Sequence, residues 1–319
     1  MIKTILLILL VAAVLGAVGI LVAAVLLMSI ATKPRCYDAK RSLRQVTEQG
    51  LLGEFDSLEK EEIQIPSYDG YVLNGLYLPA KEESNKYVVI THGITDTCYG
   101  SSKYANFYHR LGFHVVMYDL RNHGSNVKTY TSMGVRECKD LRAVIGYVRE
   151  RFGAGNFSDV LEGNSEDISQ EISVGIHGES LGSATSILCL DDNLNLAFCV
   201  ADCGYSDLIK LMRHLVKNEY HVPDFFVPLG DKLVKLFYGY SFSEIRPIDN
   251  LKNNHTPILF MHGADDTYVP TYMSQDMYEA NAGYKEICLF EGAKHAKSIA
   301  SDPEKYFEVL RGFLGKVYD

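Results

Sequence analysis

The sequence predicts an α/β fold: a doubly wound, mostly parallel sheet with a helical cap insertion, preceded by an N-terminal transmembrane helix. Short apolar, β-branched segments alternate with longer segments of helical periodicity along most of the chain. Strands without polar alternation are buried on both faces, as in a parallel sheet that helices flank. Because the alternation begins with a hairpin and continues as strand–helix repeats, it favours a doubly wound sheet.

The composition is that of a folded chain with a sizeable core. Of 319 residues, 47% are apolar and 22% are charged, and the formal net charge is −9. Phosphate contacts need clustered Lys and Arg, so nucleic acid is not expected as a partner of this acidic chain. The seven cysteines lack metal-binding spacing and indicate thiols in a reducing compartment, and neither a metal nor an organic cofactor is predicted.

Residues 1–32 are predicted to anchor the chain in a membrane. No charged residue occurs between Thr4 and Ala31, and about 20 apolar residues suffice for a helix to cross a bilayer. A secretory signal peptide, which is the alternative, has an apolar core of only about 7–15 residues before its cleavage site. The length of the stretch therefore favours an uncleaved, single-pass helix.

The charges that flank this stretch predict which side of the membrane the rest of the chain occupies. Lys3 precedes the stretch, and five basic residues follow it. These are Lys33, Arg35, Lys40, Arg41 and Arg44. By the positive-inside rule the folded domain is predicted to be cytoplasmic, and the cysteine usage agrees with that side.

A charged connector, helical in part, is predicted over residues 33–60, and the folded domain over residues 61–319. The turn-forming residues 67–70 join the two strands of the opening hairpin. Residues 153–170 are polar and acidic, and they are predicted as a surface loop with no assigned role. Strands are predicted at 62–66, 71–79, 87–91, 113–119, 172–176, 196–201, 257–261 and 286–290. Helices are predicted at 103–111, 134–151, 181–190, 271–281 and 302–317.

A cap insertion is predicted over residues 205–250, with two amphipathic helices at 207–219 and 225–238. It falls between two strands and would cover the carboxyl ends of the sheet, where α/β folds bind ligands. Its aromatic residues either form the insertion's own small core or line an acyl-binding pocket. They are Tyr220, Phe225, Phe226, Phe237, Tyr238, Tyr240 and Phe242.

A five-residue motif, Gly178-Glu179-Ser180-Leu181-Gly182, matches the pattern GxSxG. The pattern alone is weak, because chance can supply it in a chain with this much glycine and serine. Its position between a predicted strand and a predicted helix is informative, since a sharp turn there strains the serine and the glycines leave room for it. Ser180 is the predicted nucleophile, and the alternative is a glycine-rich turn with an incidental serine.

A nucleophilic serine needs a general base, and the base needs an orienting carboxylate. The loops after the last two predicted strands provide Asp266 and His295, at the same sheet edge as Ser180. Asp202 and Asp265 remain alternatives for the carboxylate, because one also ends a strand and the other adjoins Asp266. The other histidines considered support loops or lack a position after a late strand: His92, His123, His177, His255 and His262.

An oxyanion hole needs two N–H donors aimed at the developing negative charge. The N–H of Leu181, directly after the nucleophile, is predicted to be one of them. The other is expected from the loop after the strand at 87–91, where Ile94 is the preferred donor. A plain strand–helix turn would use the same glycine, Gly93, and is the alternative interpretation of that loop.

Several of these motifs occur together in one known superfamily. They are His92-Gly93, residues 119–124, residues 178–182, His262-Gly263, Asp266, Val269-Pro270 and His295. Over roughly residues 60–317 the chain resembles the α/β-hydrolase superfamily, and more narrowly bacterial hydrolases of the serine-aminopeptidase-like group. The resemblance implies structural roles for Asp119 and Arg121. The superfamily's pattern usually has glycine where Asn122 stands, but asparagine tolerates a left-handed backbone conformation.

The resemblance implies cleavage of an ester, thioester or amide through an acyl-enzyme, with substrates that vary widely within the group. The predicted function is a membrane-anchored hydrolase of a small-molecule carboxylic ester. A peptidase or amidase acting on short peptides would use the same chemistry, so the residues do not separate the two. A catalytically inactive, membrane-tethered binding module is a third hypothesis, against which the complete serine, aspartate and histidine set argues. The cap and the anchor together favour an apolar acyl group.

Overall fold

The computed structural model describes residues 1–153 and 172–318, so the predicted surface loop at 153–170 lies almost entirely outside the described residues. The described strands are β1 (Glu61–Pro66), β2 (Val72–Leu78), β3 (Lys86–Thr91), β4 (His114–Tyr118), β5 (Ser173–Glu179), β6 (Cys199–Asp202), β7 (Ile258–Gly263) and β8 (Lys285–Phe290). The described α-helices are α1 (Ile2–Thr32), α2 (Ala39–Glu48), α3 (Ser102–Arg110), α4 (Val135–Phe152), α5 (Leu181–Cys189), α6 (Leu208–Asn218), α7 (Phe226–Tyr238), α8 (Pro247–Asn250), α9 (Tyr272–Ala280), α10 (Ser298–Ser301) and α11 (Pro303–Tyr318).

These strands form one mostly parallel sheet in the order β1-β2-β4-β3-β5-β6-β7-β8. The β1–β2 and β2–β4 pairs are antiparallel, and the pairs from β4–β3 to β7–β8 are parallel. The predicted doubly wound sheet is therefore confirmed, with its antiparallel part at the opening hairpin. Parallel strands end at one edge, so the loops after β3, β5, β7 and β8 meet there.

Both faces of the central strands are buried, which explains their continuous apolar sequences. Successive side chains of a strand point to opposite faces. Val89 and Phe260 belong to the hydrophobic cluster on one face, and Val88 and Leu259 belong to the cluster on the other. Helices cover both faces, as the absence of polar alternation predicted.

The charged segment that follows α1 packs against the folded domain. Asp38 caps α2, because its side chain accepts a hydrogen bond from Arg41 N at 2.8 Å. Phe55 is fully buried in the core, and Tyr37 N donates to Thr95 O at 2.7 Å. The hydrogen bond from Tyr37 to Thr95 joins the segment to the loop after β3, close to the predicted oxyanion hole.

Helix α1 has two parts that differ in burial. It is long and apolar enough to cross a membrane, by length and composition, and its residues 2–22 are all exposed. From Ala24 onward one face is buried, at Ala24, Met28, Ala31 and Thr32, and this part packs along α7. The end of α1 is fixed to the domain because Thr131 N donates to Thr32 O at 2.8 Å.

Candidate active site

Ser180 occupies a strained backbone position between β5 and α5. Its φ of 54° and ψ of −112° lie outside the regions that an L-residue ordinarily adopts. Ser180 N donates to Asp202 O at 2.8 Å, which holds the turn against the end of β6. Such strain persists only where surrounding structure enforces it, and it is common at functional sites.

The glycines on either side of Ser180 are required by close backbone packing. A Cβ atom at position 178 would overlap the carbonyl group of Gly182. A Cβ atom at position 182 would overlap the carbonyl oxygen of Thr91, at the end of β3. The turn can therefore cross over β3 only because both positions lack a side chain.

Substituting Gly182 by alanine is expected to destabilise the protein by about 3 kcal/mol, because the backbone of Thr91 cannot move aside cheaply. Gly312, in the middle of α11 with nothing within 4 Å of its added Cβ, provides the matched control. Gly312→Ala is expected to be neutral or stabilising by about 0.5–1 kcal/mol. Thermal unfolding followed by far-UV circular dichroism in detergent micelles measures both. Equal midpoints for the two variants would contradict the close approach at Gly182.

The structure brings Ser180, His295 and Asp266 into one hydrogen-bonded chain. Ser180 Oγ lies 2.9 Å from His295 Nε2, and His295 Nδ1 lies 2.7 Å from Asp266 Oδ2. Asp266 stands in the loop after β7, and His295 stands in the loop after β8. Since a carboxylate only accepts, Nδ1 donates to Asp266, and Nε2 is left to accept the Ser180 hydroxyl proton.

Asp266 is buried and held by four donors. Its Oδ1 accepts from the backbone N–H groups of Tyr268 and Val269, each at 2.9 Å. Its Oδ2 faces His262 Nε2 at 3.0 Å as well as His295. Burial alone would raise the pKa of Asp266, but the hydrogen bonds from the two histidines outweigh it and lower the pKa to about 2. The carboxylate is therefore ionised and fixed in orientation at neutral pH.

His262 contacts Asp266 directly, whereas the sequence predicted only that it supports a loop. Its Nε2 faces two acceptors, Asp266 Oδ2 and Val269 O, so this nitrogen carries the hydrogen. Its Nδ1 lies 2.6 Å from Ser274 Oγ, on α9. His262 therefore positions Asp266 from below, and a histidine four residues before the carboxylate was the available signal.

The two other carboxylates considered are not in contact with His295. Asp265 is exposed, and its backbone N–H donates to Ala293 O at 3.0 Å. Asp202 is buried between Tyr306 OH, at 3.0 Å, and Tyr104 OH, at 3.2 Å. Burial, with a smaller contribution from the charge of Glu179, raises the pKa of Asp202 to about 6.

A buried ion pair lies directly next to Ser180, and the sequence did not indicate it. Lys103, on α3, pairs with Glu179, the last residue of β5, and Tyr104 OH donates to the same carboxylate. Burial would raise the pKa of Glu179, but the charge of Lys103 outweighs it and lowers the pKa. A lysine in a short helix ordinarily faces solvent, so its pattern gave no signal of this role.

The loop at 119–124 supports the site from behind, as the resemblance implied. Asp119 Oδ1 accepts from Cys98 N at 2.8 Å, which joins the loop to the segment before α3. Arg121 is fully buried, and its Nε donates to Asp140 Oδ2 at 2.6 Å. Asn122 has a φ of 69°, the left-handed conformation expected where the superfamily has glycine.

A mostly apolar cavity opens above Ser180, between the sheet edge and the cap. Ile94 and Leu181, the predicted oxyanion donors, both line it together with Ser180. The cap aromatics divide between the two alternatives left open by the sequence. Of the seven cap aromatics, Tyr220, Phe226 and Phe242 line the cavity, Tyr238 and Tyr240 pack with Tyr130, and Phe225 and Phe237 are exposed.

The last turns of α1 also line this cavity, through Leu27, Met28, Ile30 and Ala31. The sequence predicts α1 only as an anchor and does not indicate that it forms part of the cavity wall. The length of α1 could have indicated this role. The charge-free stretch from Thr4 to Ala31 exceeds the approximately 20 residues that a span needs, so its last residues are free to contact the domain. Within residues 1–153 and 172–318, no group of three or more His, Cys, Asp or Glu side chains is placed to hold a metal ion.

Solved structures of α/β hydrolases share this architecture. The esterase Pf2001 of Pyrococcus furiosus matches with a TM-score of 0.63 at 22% identity, over 82% of this chain and 95% of that one. The acylaminoacyl peptidase of Pyrococcus horikoshii matches with a TM-score of 0.55 at 18% identity, over 82% of this chain and 42% of that one. XC6422 of Xanthomonas campestris, an α/β serine hydrolase without a lid, matches with a TM-score of 0.53 at 14% identity, over 81% and 94%. The chain has the α/β-hydrolase fold.

Curated relatives extend over most of the chain. The uncharacterized protein YqkD of Bacillus subtilis (strain 168) is 28% identical over 316 residues, which cover 95% of this chain and 97% of YqkD. The uncharacterized protein Rv2307c of Mycobacterium tuberculosis (strain H37Rv) is 23% identical over 254 residues, or 79% and 78% of the two chains. No protein-family model matches the chain. One fold carries many activities, so the activity has to be argued from the site.

Proposed function

We propose that the protein is a membrane-anchored serine hydrolase that cleaves a carboxylic ester through an acyl-enzyme. The observation that supports this most is the continuous chain from Ser180 Oγ through His295 to Asp266, with separations of 2.9 Å and 2.7 Å. A serine hydroxyl becomes a useful nucleophile when a base within hydrogen-bonding distance can take its proton and a third group orients that base.

In the proposed reaction, Ser180 Oγ attacks the carbonyl carbon while His295 Nε2 takes the hydroxyl proton. The imidazolium that forms is stabilised by Asp266, which stays ionised because its pKa is about 2. His295 then returns the proton to the leaving alcohol oxygen, the ester C–O bond breaks, and Ser180 is left acylated. Water then attacks the acyl carbon while His295 takes one of its protons. The bond between the acyl carbon and Ser180 Oγ breaks, His295 gives the proton to Ser180 Oγ, and the carboxylic acid is released.

The backbone N–H groups of Ile94 and Leu181 are assigned the role of stabilising the negative charge that develops on the carbonyl oxygen. Leu181 is the first residue of α5, and the first N–H groups of a helix have no intrahelical acceptor. The helix dipole adds favourable potential at the same end. Ile94 lines the cavity from the loop after β3, on the other side of Ser180.

We further propose that α1 is a retained single-pass anchor and that the folded domain is cytoplasmic. Basic residues follow the apolar stretch at five positions, whereas Lys3 precedes it. All seven cysteines are free thiols, which suits a reducing compartment. Cleavage of α1 as a signal peptide would remove Met28 and Ala31 from the cavity wall, and retention keeps the wall complete.

A fluorophosphonate probe tests the nucleophile. The full-length protein in detergent micelles is expected to react with the probe, and peptide mapping is expected to place the adduct on Ser180. Heat-denatured protein is the control, because labelling depends on the assembled base and oxyanion donors. An adduct on another serine would remove Ser180 from its role. No adduct, together with no turnover on esters or amides, would favour the binding module.

Ester cleavage is favoured over peptide cleavage by the chemistry of the cavity. Its described lining contains no acidic residue that could pair with the amino terminus of a peptide. We expect kcat/KM for p-nitrophenyl butyrate to exceed that for alanine p-nitroanilide by at least about 100-fold, a difference of roughly 2.7 kcal/mol. The opposite preference, measured in parallel by p-nitrophenol and p-nitroaniline release, would make the protein a peptidase.

A further inference from the structure

We propose that the cavity above Ser180 takes the acyl chain of a lipid directly from the bilayer that holds α1. The substrate class is then a long-chain acyl ester that resides in the membrane. This inference rests on the proposed function and deepens it by naming the substrate and its route of entry. The carrying observation is that α1, which is long and apolar enough to span a membrane, also forms a wall of the cavity above Ser180.

The length of the exposed part of α1 fixes the height of the cavity above the membrane. Residues 2–22 are exposed throughout. At about 1.5 Å per residue this part is roughly 30 Å long, which equals the hydrocarbon thickness of a bilayer, about 30 Å. Burial against the domain starts at Ala24, only two residues later. The domain therefore begins where the hydrocarbon ends, and the cavity lies at the membrane surface.

One open side of the cavity lies beside α1, and another lies at Tyr220 of the cap, which lines the cavity and is 40% exposed. Ile30 lines the cavity and is also 48% exposed, so it stands at the rim, with Leu27 one turn closer to the membrane. Further inside, the wall is formed by buried side chains such as Met133, Tyr205 and Leu211, and it leads to Ser180. An acyl chain that moves along this wall exchanges one apolar environment for another and exposes little surface to water.

The cap carries exposed apolar side chains that could contact lipid. In the described part of the chain outside α1, the exposed Phe and Leu side chains all belong to the cap: Phe225, Leu236 and Phe237, at 49%, 75% and 60% exposure. The last two lie on α7, the helix against which α1 packs. Apolar groups grouped beside a span can insert into the boundary between headgroups and acyl chains.

Bulky substitutions at the opening test the route. Leu27→Trp and Ile30→Trp should narrow the cavity at its rim, so the ratio of kcat/KM for p-nitrophenyl dodecanoate to that for p-nitrophenyl acetate should fall at least tenfold. Leu26→Trp is the matched control, because Leu26 is 62% exposed and does not line the cavity. It should keep the wild-type ratio. Unchanged ratios in the two rim variants, or an equal fall in Leu26→Trp, would overturn the proposal.

A second measurement separates this proposal from the proposed function, because it needs no turnover. The Ser180→Ala chain is reconstituted in vesicles of phosphatidylcholine and phosphatidylglycerol that contain a phosphatidylcholine with a diazirine at the end of one acyl chain. After illumination, adducts are expected on Met133, Tyr205 or Leu211, which the bilayer itself cannot reach. Adducts confined to residues 2–22 and to exposed cap residues would overturn acyl entry. Wild-type protein that cleaves no ester would instead overturn the hydrolase and leave this readout intact.

Discussion

Replacing Ser180 by alanine is expected to lower kcat/KM for p-nitrophenyl butyrate by roughly 10⁶-fold, the size of effect that loss of the triad serine has in a serine hydrolase. Alanine removes the atom that would form the proposed acyl-enzyme, whereas His295, Asp266 and the proposed oxyanion donors stay in place. A residual acceleration of about 10³–10⁴ over the reaction in water is expected to remain, because binding and oxyanion stabilisation survive. Release of p-nitrophenol by purified full-length protein in micelles measures the change.

Ser183 provides the matched control for this substitution. It lies on the first turn of α5, three residues from the nucleophile, and its side chain is buried. Its Oγ has no hydrogen-bond partner among the described residues, so Ser183→Ala should keep activity within about tenfold of wild type. Comparable losses in both variants would mean that the turn, and not the Ser180 hydroxyl, determines activity.

The strands and helices of this fold were predictable because their signals are local. Continuous apolar segments gave the buried strands, and the helices around 207–219 and 225–238 are found as α6 and α7. The common edge at which Ser180, Asp266 and His295 meet followed from strand–helix alternation, because each of the three comes after a strand of a parallel sheet. The residues that define each strand or helix are neighbours along the chain, so the pattern of a short window contains that information.

Contacts between distant segments were not predictable in the same way. Lys103 is paired with Glu179 across 76 positions of the chain (103 to 179), and nothing in the sequence near either residue requires it. The same holds for Met28 in the cavity wall, since an apolar residue of α1 satisfies a membrane and a cavity equally well. Apolar periodicity identifies which face of a helix is apolar, but it does not identify what covers that face.

Substituting Asp266 by asparagine is expected to lower kcat/KM by about 10⁴-fold while leaving the fold in place. Asp266 accepts hydrogen bonds on both oxygens, from His262 and His295 on one side and from the N–H groups of Tyr268 and Val269 on the other. An amide of the same shape has one oxygen and one NH₂ group. Whichever way it turns, its NH₂ group therefore faces N–H donors that the second carboxylate oxygen had accepted from. If the NH₂ group of the Asp266→Asn side chain turns to His295, Nδ1 of His295 has to accept a hydrogen bond from it. The ring hydrogen of His295 then sits on Nε2, where it faces Ser180.

His295 in that tautomer cannot take the proton of Ser180, so the expected loss falls on kcat, with a smaller change in KM. Asp202→Asn is the control, because Asp202 is buried between Tyr104 and Tyr306 and does not touch His295. It should retain activity within about tenfold, since its carboxylate takes no part in the chain from Ser180 to Asp266. A large loss in Asp202→Asn with near-normal Asp266→Asn would assign the orienting role to the strand-end carboxylate and would require His295 to change its partner. If Asp266 orients His295 as proposed, fluorophosphonate labelling of Asp266→Asn should slow in parallel with kcat, because the same proton transfer limits both.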